Sequence, residues 1–313
     1  IRDDLVTGVQ TCALPILYAS RAALNTLVLQ GTELDQLSLT TVVENYPGFP
    51  EGIMGPKLIR DSRTQAQKFG ANYEMEKVKE IAAGKAKSMF TTNNPNELIM
   101  EFRDDASAFD GKKRASLAGK GAVNNQFNAF IMDYLGDNGV DHHLINLMDN
   151  THSLVHSLDM FPIECVIRNR ATGSICRRLG TEDGLILDKP LFEFFLKDDD
   201  LGDPLINRNH IVSFGWAKDD ELDEMISTSH KVNELLTKLF ADSGMILVDF
   251  KLEFGVSNGK ILLGDEFTPD GCRLWDDETL EKLDKDRFRQ DLGDVIESYH
   301  MVAHRLGMQI KVD

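Results

Sequence analysis

The sequence predicts an α+β fold. Alternating apolar and polar residues crowd the stretch from 79 to 169 and return from 246 to 267, whereas helical periodicity is confined to separate stretches. Strands and helices do not alternate with the regularity that a doubly wound parallel sheet requires. Strands are predicted at 79–90, 97–103, 152–159, 162–169, 246–255 and 260–267, and helices at 120–136, 220–242 and 287–306. The helix at 220–242 spaces Leu222, Met225, Ile226, Val232, Leu235, Leu236 and Leu239 near period 3.6 and ends towards Gly244. Asn258-Gly259, set between two apolar runs, is the strongest hairpin signal in the chain. No repeat of period 20–50 interrupts this pattern.

Composition narrows the function classes. The 313 residues are 42% hydrophobic and 27% charged, which excludes disordered and fibrous classes. At roughly 150 residues per domain, two domains are expected. No stretch approaches the roughly 18 apolar residues of a membrane span, so no membrane partner is expected. The net charge of −17 disfavours nucleic acid as a partner, because phosphate neutralisation needs clustered Lys and Arg. The four cysteines, Cys12, Cys165, Cys176 and Cys272, form no C-x-x-C pair and suit a reducing, cytoplasmic compartment. The start, Ile1-Arg2-Asp3-Asp4, lacks Met and a signal-peptide order, and reads as a truncated frame.

Residues 1–16 include VTGVQTCALPI, which resembles a translated sequencing adapter and is set aside as an artefact. In 17–74, an apolar strand at Thr26 to Leu29 precedes a Pro/Gly-rich loop and a helix from Gly55 to Phe69, ended by Gly70. VENYPGFPEGIMGP at 43–56 and AQKFGA at 66–71 resemble the flavin domain of bacterial thioredoxin reductases. The G-x-G-x-x-G phosphate loop that would precede Leu17, the redox C-x-x-C and the NADPH domain are missing. A flavin-dependent reductase is therefore the alternative, and no FAD is expected. The fragment is predicted to be loosely packed and to expose apolar surface. A new register opens at MEKVKEIAAGKAKSMF, which places a boundary at 74/75, with −2 of the charge before it and −15 after.

Four stretches after Met75 carry chemistry-bearing residues. In Gly84-Lys85-Ala86-Lys87, two lysines at i, i+2 share a strand face and suit nucleotide phosphates, or merely protect a sheet edge. The run from Asp249 to Gly255 puts Asp249, Lys251 and Glu253 on one face and Phe250, Leu252 and Phe254 on the other. Glu253 and Asp265 are candidate Mg²⁺ ligands, with Lys251 aimed at a phosphoryl oxygen; an exposed, salt-bridged hairpin is the competing reading. A strict two-residue turn pairs Glu253 with Gly264 and turns Asp265 to the wrong face, so a one-residue bulge or longer loop is expected. Arg168 followed by the Thr172-Gly173-Ser174 loop reads as a phosphate site, with Arg273 a second clamp, or as turn chemistry beside surface arginines. Asp105 to Lys113 reads as a polar loop containing Asp110. His142 and His143 read as surface residues, and the scattered His152, His156 and His210 offer no zinc site.

Together these motifs resemble the SAICAR synthetase family: GKAK at 84–87, LIMEFRDDASAFDG at 98–111, KGAVNNQFNAFIM at 120–132, ECVIRNRATGS at 164–174, ILVDFKLEFG at 246–255, LGDEFTPDGCRLWD at 263–276 and DKDRFRQDLG at 284–293. The resemblance runs from Met75 to Asp313. It implies a small β-rich ATP-binding lobe at 75–160 and a larger α+β lobe at 161–313, with ATP between them as in protein kinases. It implies that L-aspartate is joined to carboxyaminoimidazole ribonucleotide with ATP and Mg²⁺, through an acyl phosphate. Lys85, Lys87, Met160, Glu164 and Lys251 are then the ATP contacts, and Glu253 and Asp265 the metal ligands. Arg168, Ser174 and Arg273 hold the ribonucleotide; Lys251, Asp249 and Asp110 are catalytic, the two aspartates in the acceptor or aspartate pocket. The partners implied are these small molecules, and a homo-oligomer stays open.

Overall fold

The computed structural model describes residues 21, 27–29, 41–44, 46, 48–74, 80–84, 86–108 and 113–311. The segment 1–16, Lys85 and Asp110 lie outside the described residues. The chain divides into two compact units, Ile1–Lys79 and Glu80–Asp313.

In the first unit, β1 (Leu27–Leu29) is followed by β2 (Val42–Val43), β3 (Ile53–Met54), α1 (Gly55–Lys68) and β4 (Asn72–Glu74). Pro56 suits the opening turn of α1, where its missing N–H is not needed. Gly70, at φ 97°, ends the helix as expected. β1 and β4 pair in parallel, and β2 and β3 form a short antiparallel pair. Within this unit Leu58 and Ala66 are buried, while Val42, Met54 and Phe69 are exposed.

The second unit opens with β5 (Glu80–Ala83), β6 (Lys87–Thr91) and β7 (Glu97–Phe102), then the hairpin β8 (Asp105–Ala108) and β9 (Lys113–Ser116). Next come α2 (Lys120–Asp137), β10 (Leu144–Leu147) and β11 (His152–His156). The predicted strand 79–90 is thus two strands. β5 and β6 pair antiparallel with Ala83 opposite Ser88, and Gly84 N–H donates to the Lys87 carbonyl at 2.8 Å, so no single strand period runs through Gly84 to Lys87. The stretch read as a polar loop, 105–113, is carried largely by the β8–β9 hairpin. The first sheet is antiparallel, in the order β10-β11-β7-β6-β5. Helix α2 packs on it, burying Phe127, Ile131, Met132 and Leu135 with Met100, Phe102 and Val155. Its N-terminus is capped from outside: Gly119 and Gly121 N–H donate to the Asp104 carboxylate at 3.2 and 2.9 Å, which also favours the helix dipole.

The second sheet takes the rest of the chain: β12 (Asp159–Arg170), α3 (Ser174–Leu179), β13 (Ile186–Leu196), β14 (Leu205–Ile206), α4 (Arg208–Phe214), α5 (Asp219–Ala241), β15 (Met245–Ser257), β16 (Lys260–Gly264) and β17 (Cys272–Asp276). Its order is β14-β13-β12-β15-β16, with β17 also on β15, all antiparallel. Helix α5 begins with Asp219, Asp220 and Glu221, a favourable charge for that end, and lays Leu222, Met225, Val232, Leu236 and Phe240 against β15 and β12. The long strands β12 and β15 form the sheet's centre; β15 is mostly buried, and β12 alternates buried with half-buried residues after an exposed start. No helix among the described residues is long and apolar enough to cross a membrane.

The chain closes with α6 (Asp286–Arg289) and α7 (Val295–Arg305), where one helix, 287–306, is predicted. The break has a local cause. Asp291, Gly293 and Asp294 all have positive φ, and the Arg287 guanidinium donates to the Gly293 carbonyl (2.9 Å) and the Lys282 carbonyl (3.1 Å). One side chain thereby satisfies backbone groups on both sides of the break.

Gly121 is where α2 meets the first sheet. A Cβ there would press on the Phe102 carbonyl and lie 3.2 Å from the Arg103 carbonyl carbon, both backbone atoms. Gly→Ala in a helix ordinarily stabilises by up to about 1 kcal/mol. Here Gly121→Ala is expected to destabilise by about 1–3 kcal/mol through overpacking, measured as a lowered urea midpoint.

Candidate active site

Strand β15 carries Asp249, Lys251 and Glu253, and the period of two sets them on one face as predicted. The solvated face of the competing reading is absent. Asp249 is 3% exposed and Glu253 1%, because α5 covers one side of the strand and an ion network the other. Lys251 Nζ meets Glu253, Glu164 Oε1 at 3.2 Å and Asp265 Oδ2 at 3.3 Å. Lys87 Nζ meets Asp265 and, at 3.4 Å, Glu266 Oε1. Lys197 Nζ meets the second oxygen of Glu253. Three lysines and four carboxylates thus interlock. Glu164 and Glu253 lie directly opposite on β12 and β15, a like-charge pair that needs the lysine between them.

The hairpin register corrects one expectation. Pairing runs unbroken from Ser257↔Lys260 to Glu253↔Gly264, without a bulge. Asp265 reaches the network another way: it sits one residue past β16 with φ 53°, and this left-handed turn swings its carboxylate back to Lys251 and Lys87. His143 corrects another. It is buried, with Nε2 2.8 Å from the Asp265 carbonyl, rather than on the surface.

The charges shift accordingly. Burial opposes the Lys251 ammonium, but Asp265, Glu253 and Glu164 outweigh it and hold its pKa well above the usual value. Burial likewise opposes Lys87, and Asp265 and Glu266 keep it raised. Burial opposes the Asp265 charge too, but Lys87 and Lys251 hold that carboxyl well below the ordinary range. For Glu164 burial wins, helped by Glu253, and its pKa is raised.

Two residues back along β15, Asp249 faces Arg168 on β12 and Arg273 on β17, in one row across three strands. Its Oδ2 accepts from Arg168 at 2.8 Å and Arg273 at 2.7 Å. Arg168 also bonds Glu193 Oε2 (2.7 Å) and donates to Ser174 Oγ (3.2 Å); Arg273 bonds Asp286 Oδ2 (2.8 Å). Gly173, at φ 67°, admits the Arg273 guanidinium so closely that a Cβ there would lie 2.7 Å from it. The strand period places this arginine pair roughly 7 Å from the lysine network, within the reach of one nucleotide-sized ligand. Met160 stands near the start of β12, partly exposed, its sulfur against Gly255 and Gly264.

Of the predicted residues, the structure therefore joins Lys87, Glu164, Lys251, Glu253 and Asp265 in one network, and Asp249, Arg168, Ser174 and Arg273 in a second. Lys197, Glu266, Glu193 and Asp286 were missed. Glu266 adjoins Asp265 and was passed over in its favour, although the strict register turns Glu266 to the face of Glu253; Lys197 and Glu193 carried no local signal. Among the described residues no group of three or more His, Cys, Asp and Glu is gathered to hold a metal alone. Yet Glu253 and Asp265 converge on Lys251 Nζ. Mg²⁺ commonly takes one or two carboxylates and completes its shell with phosphates and water, so this donor set fits Mg²⁺ arriving with a nucleotide.

The SAICAR synthetase family pattern matches residues 80–306, a span that contains every described residue of both networks. The chain belongs to the SAICAR synthetase family. The phosphoribosylaminoimidazole-succinocarboxamide synthase of Alcanivorax borkumensis is 62% identical over 234 residues, covering 75% of this chain and 98% of that one. The crystal structure of the synthase from Ehrlichia chaffeensis superposes with a TM-score of 0.73 at 43% identity, over 74% of this chain and all of that one. A SAICAR synthetase in complex with ADP gives 0.72 at 42%, over 75% and 100%. The chain is an ATP-dependent ligase of purine biosynthesis, and its fold is that of the family, with mixed helix and sheet. A thioredoxin reductase from Gloeobacter violaceus aligns over a quarter of the chain at a TM-score of 0.22, which carries no argument for flavin chemistry.

His143 supplies a test. Burial pushes its pKa down to about 4. Between about 6.5 and about 4 the unfolded chain takes up a proton that the native chain refuses, so stability falls as pH falls through that window. Urea unfolding of the ligand-free protein should show about 2 kcal/mol lost to this group between pH 7 and pH 5. His143→Gln should lack that slope.

Proposed function

We propose that the two networks on β15 form one site that joins L-aspartate to the carboxylate of carboxyaminoimidazole ribonucleotide through an acyl phosphate. The observation that carries this reading is the spacing of the lysine network and the arginine pair along one strand. It suits a phosphoryl donor at one end and a ribonucleotide phosphate at the other.

In this reading ATP lies between the two sheets, as in protein kinases, against Met160 and Glu164. Lys85 and Lys87 contact its phosphates, and Lys251 sits between ATP and the acceptor. Arg168, Ser174 and Arg273 hold the 5′-phosphate. Asp249 keeps the two guanidiniums parallel to the row, and with Asp110 borders the acceptor and aspartate pocket. The acceptor carboxylate oxygen forms a bond to the γ-phosphorus as the bond to ADP breaks. Lys251 neutralises the charge that builds on the transferring group. The aspartate amine, having shed its proton to solvent, then attacks the acyl carbon and phosphate departs. Glu253 and Asp265 would hold Mg²⁺, which when bound neutralises the ATP phosphates. Nothing here asks for a nucleophilic Ser or Cys. Residues 17–74 are read as a flavin-domain fragment outside this machinery, and FAD incubation should leave the full chain colourless.

Incubation of the full chain with ATP, Mg²⁺, L-aspartate and the carboxylated ribonucleotide should release ADP, phosphate and the succinocarboxamide in equal amounts. Nucleotide binding without that product overturns the reading. Lys251→Met should lower kcat by about 10²–10³-fold. Glu253→Gln should raise the Mg²⁺ concentration needed for half-maximal rate. Arg168→Lys, which loses a planar fork, should raise KM for the ribonucleotide and leave KM for ATP unchanged.

A further inference from the structure

The loop from Asp265 to Gly271 joins β16 to β17 and brings Asp265 and Glu266 to the lysines. It is docked on one face of α2, on side chains at 120, 124 and 128, spaced so that they stack along the helix. Asp270 is the anchor. Its Oδ2 receives Lys120 Nζ at 2.6 Å and Asn124 Nδ2 at 2.8 Å, and its Oδ1 receives the Tyr299 hydroxyl of α7 at 2.6 Å. Lys120 also donates to the Asp105 carbonyl at 3.0 Å. One turn further along α2, Asn128 Oδ1 accepts from Phe267 N–H at 2.9 Å.

Three buried polar atoms in this seam have no hydrogen-bond partner among the described residues: Asn124 Oδ1, Asn128 Nδ2 and Thr268 Oγ1. Their residues are 2%, 0% and 0% exposed. Turning the amides around does not cure this. Asn124 must present nitrogen to the Asp270 carboxylate, and Asn128 must present oxygen to the Phe267 N–H. Loop residues 267 and 270 dock at 128 and 124, so Thr268 lies opposite the stretch of helix between the two amides. An acceptor, a donor and a hydroxyl are therefore left over along the same short stretch of the seam. A cation would be repelled by the Asn128 amide protons and an anion by the Asn124 oxygen. A neutral molecule that both donates and accepts satisfies all three.

We propose that a single buried water, held by Asn124 Oδ1, Asn128 Nδ2 and Thr268 Oγ1, completes the seam and positions the Asp265–Gly271 loop for ligation. The positioning half rests on the function proposed above; the water does not. Asn124, Asn128 and Thr268 are positioning residues, since in this assignment they touch neither substrate nor the reacting atoms.

A crystal structure of the full chain at a resolution that resolves waters tests the site directly. A peak within hydrogen-bond distance of all three atoms is expected. Direct pairing of the three atoms, or the seam closed without a peak, overturns the proposal. The positioning role is read from Thr268→Val and Thr268→Ser in the ligation assay. Thr268→Val should lower kcat about tenfold while changing KM for the ribonucleotide less than twofold, and Thr268→Ser should restore kcat. Unchanged kcat in Thr268→Val refutes the positioning role. If Thr268→Val fails to fold, Asn128→Asp, which keeps the acceptor for Phe267 and removes the donor, takes its place under the same criteria. A wild-type chain that shows the water but makes no succinocarboxamide would refute the proposed function and leave the water site standing.

Discussion

Everything in the second unit answers to a single electrostatic demand: three charged side chains stand on the most buried strand of the larger sheet. A buried charge is costly unless it is paired and hydrogen-bonded. Asp249 is met by arginines from the strands on either side, and Glu253 by two lysines. The sheet order follows, because only neighbours to β15 on both edges supply those partners. The loop at 265–271 and helix α6 complete the networks with Asp265 on Lys251 and Asp286 on Arg273. Removing one member strands its partners, so the networks hold together as units.

A chain of net charge −17 handles ligands that are themselves anionic. The resolution is local. Lys251, Arg168 and Arg273 are collected along β15 and its neighbours, and Lys87 reaches Asp265 from β6 of the first sheet, each partnered by carboxylates. On the function proposed above, phosphate oxygens and a metal exchange for those internal partners without leaving any cation bare. The remaining acidity lies elsewhere on the surface and bears on solubility rather than on recognition.

Sequence periodicity revealed the strands and the long helix because those patterns are local. Asn258 and Gly259, at φ 52° and 76°, make the tight turn their identities demand. What escaped was decided by distant contacts. Alternation on β15 could not distinguish solvent from a second buried layer. The reach of Asp265 depends on one left-handed residue rather than on strand register. His143 looked like a surface residue until its contact with the Asp265 carbonyl, 122 positions away, appeared. Lys120, at the head of a helix, carried no signal of its own; it is buried against the Asp270 carboxylate, far along the chain. The single helix expected at 287–306 is interrupted where Asp291, Gly293 and Asp294 take positive φ and Arg287 bonds the Gly293 and Lys282 carbonyls.

The left-handed backbone at Asp265 has an evolutionary consequence. Asparagine and glycine adopt that conformation more comfortably than most residues, and either would remove the carboxylate. Selection for thermal tolerance alone would thus be drawn to a position where relief of strain removes the ion pairs to Lys87 and Lys251. On the function proposed above, laboratory lineages screened only for heat resistance would drift towards well-folded, silent ligases, with the carboxylate retained only under selection for growth without supplied purines.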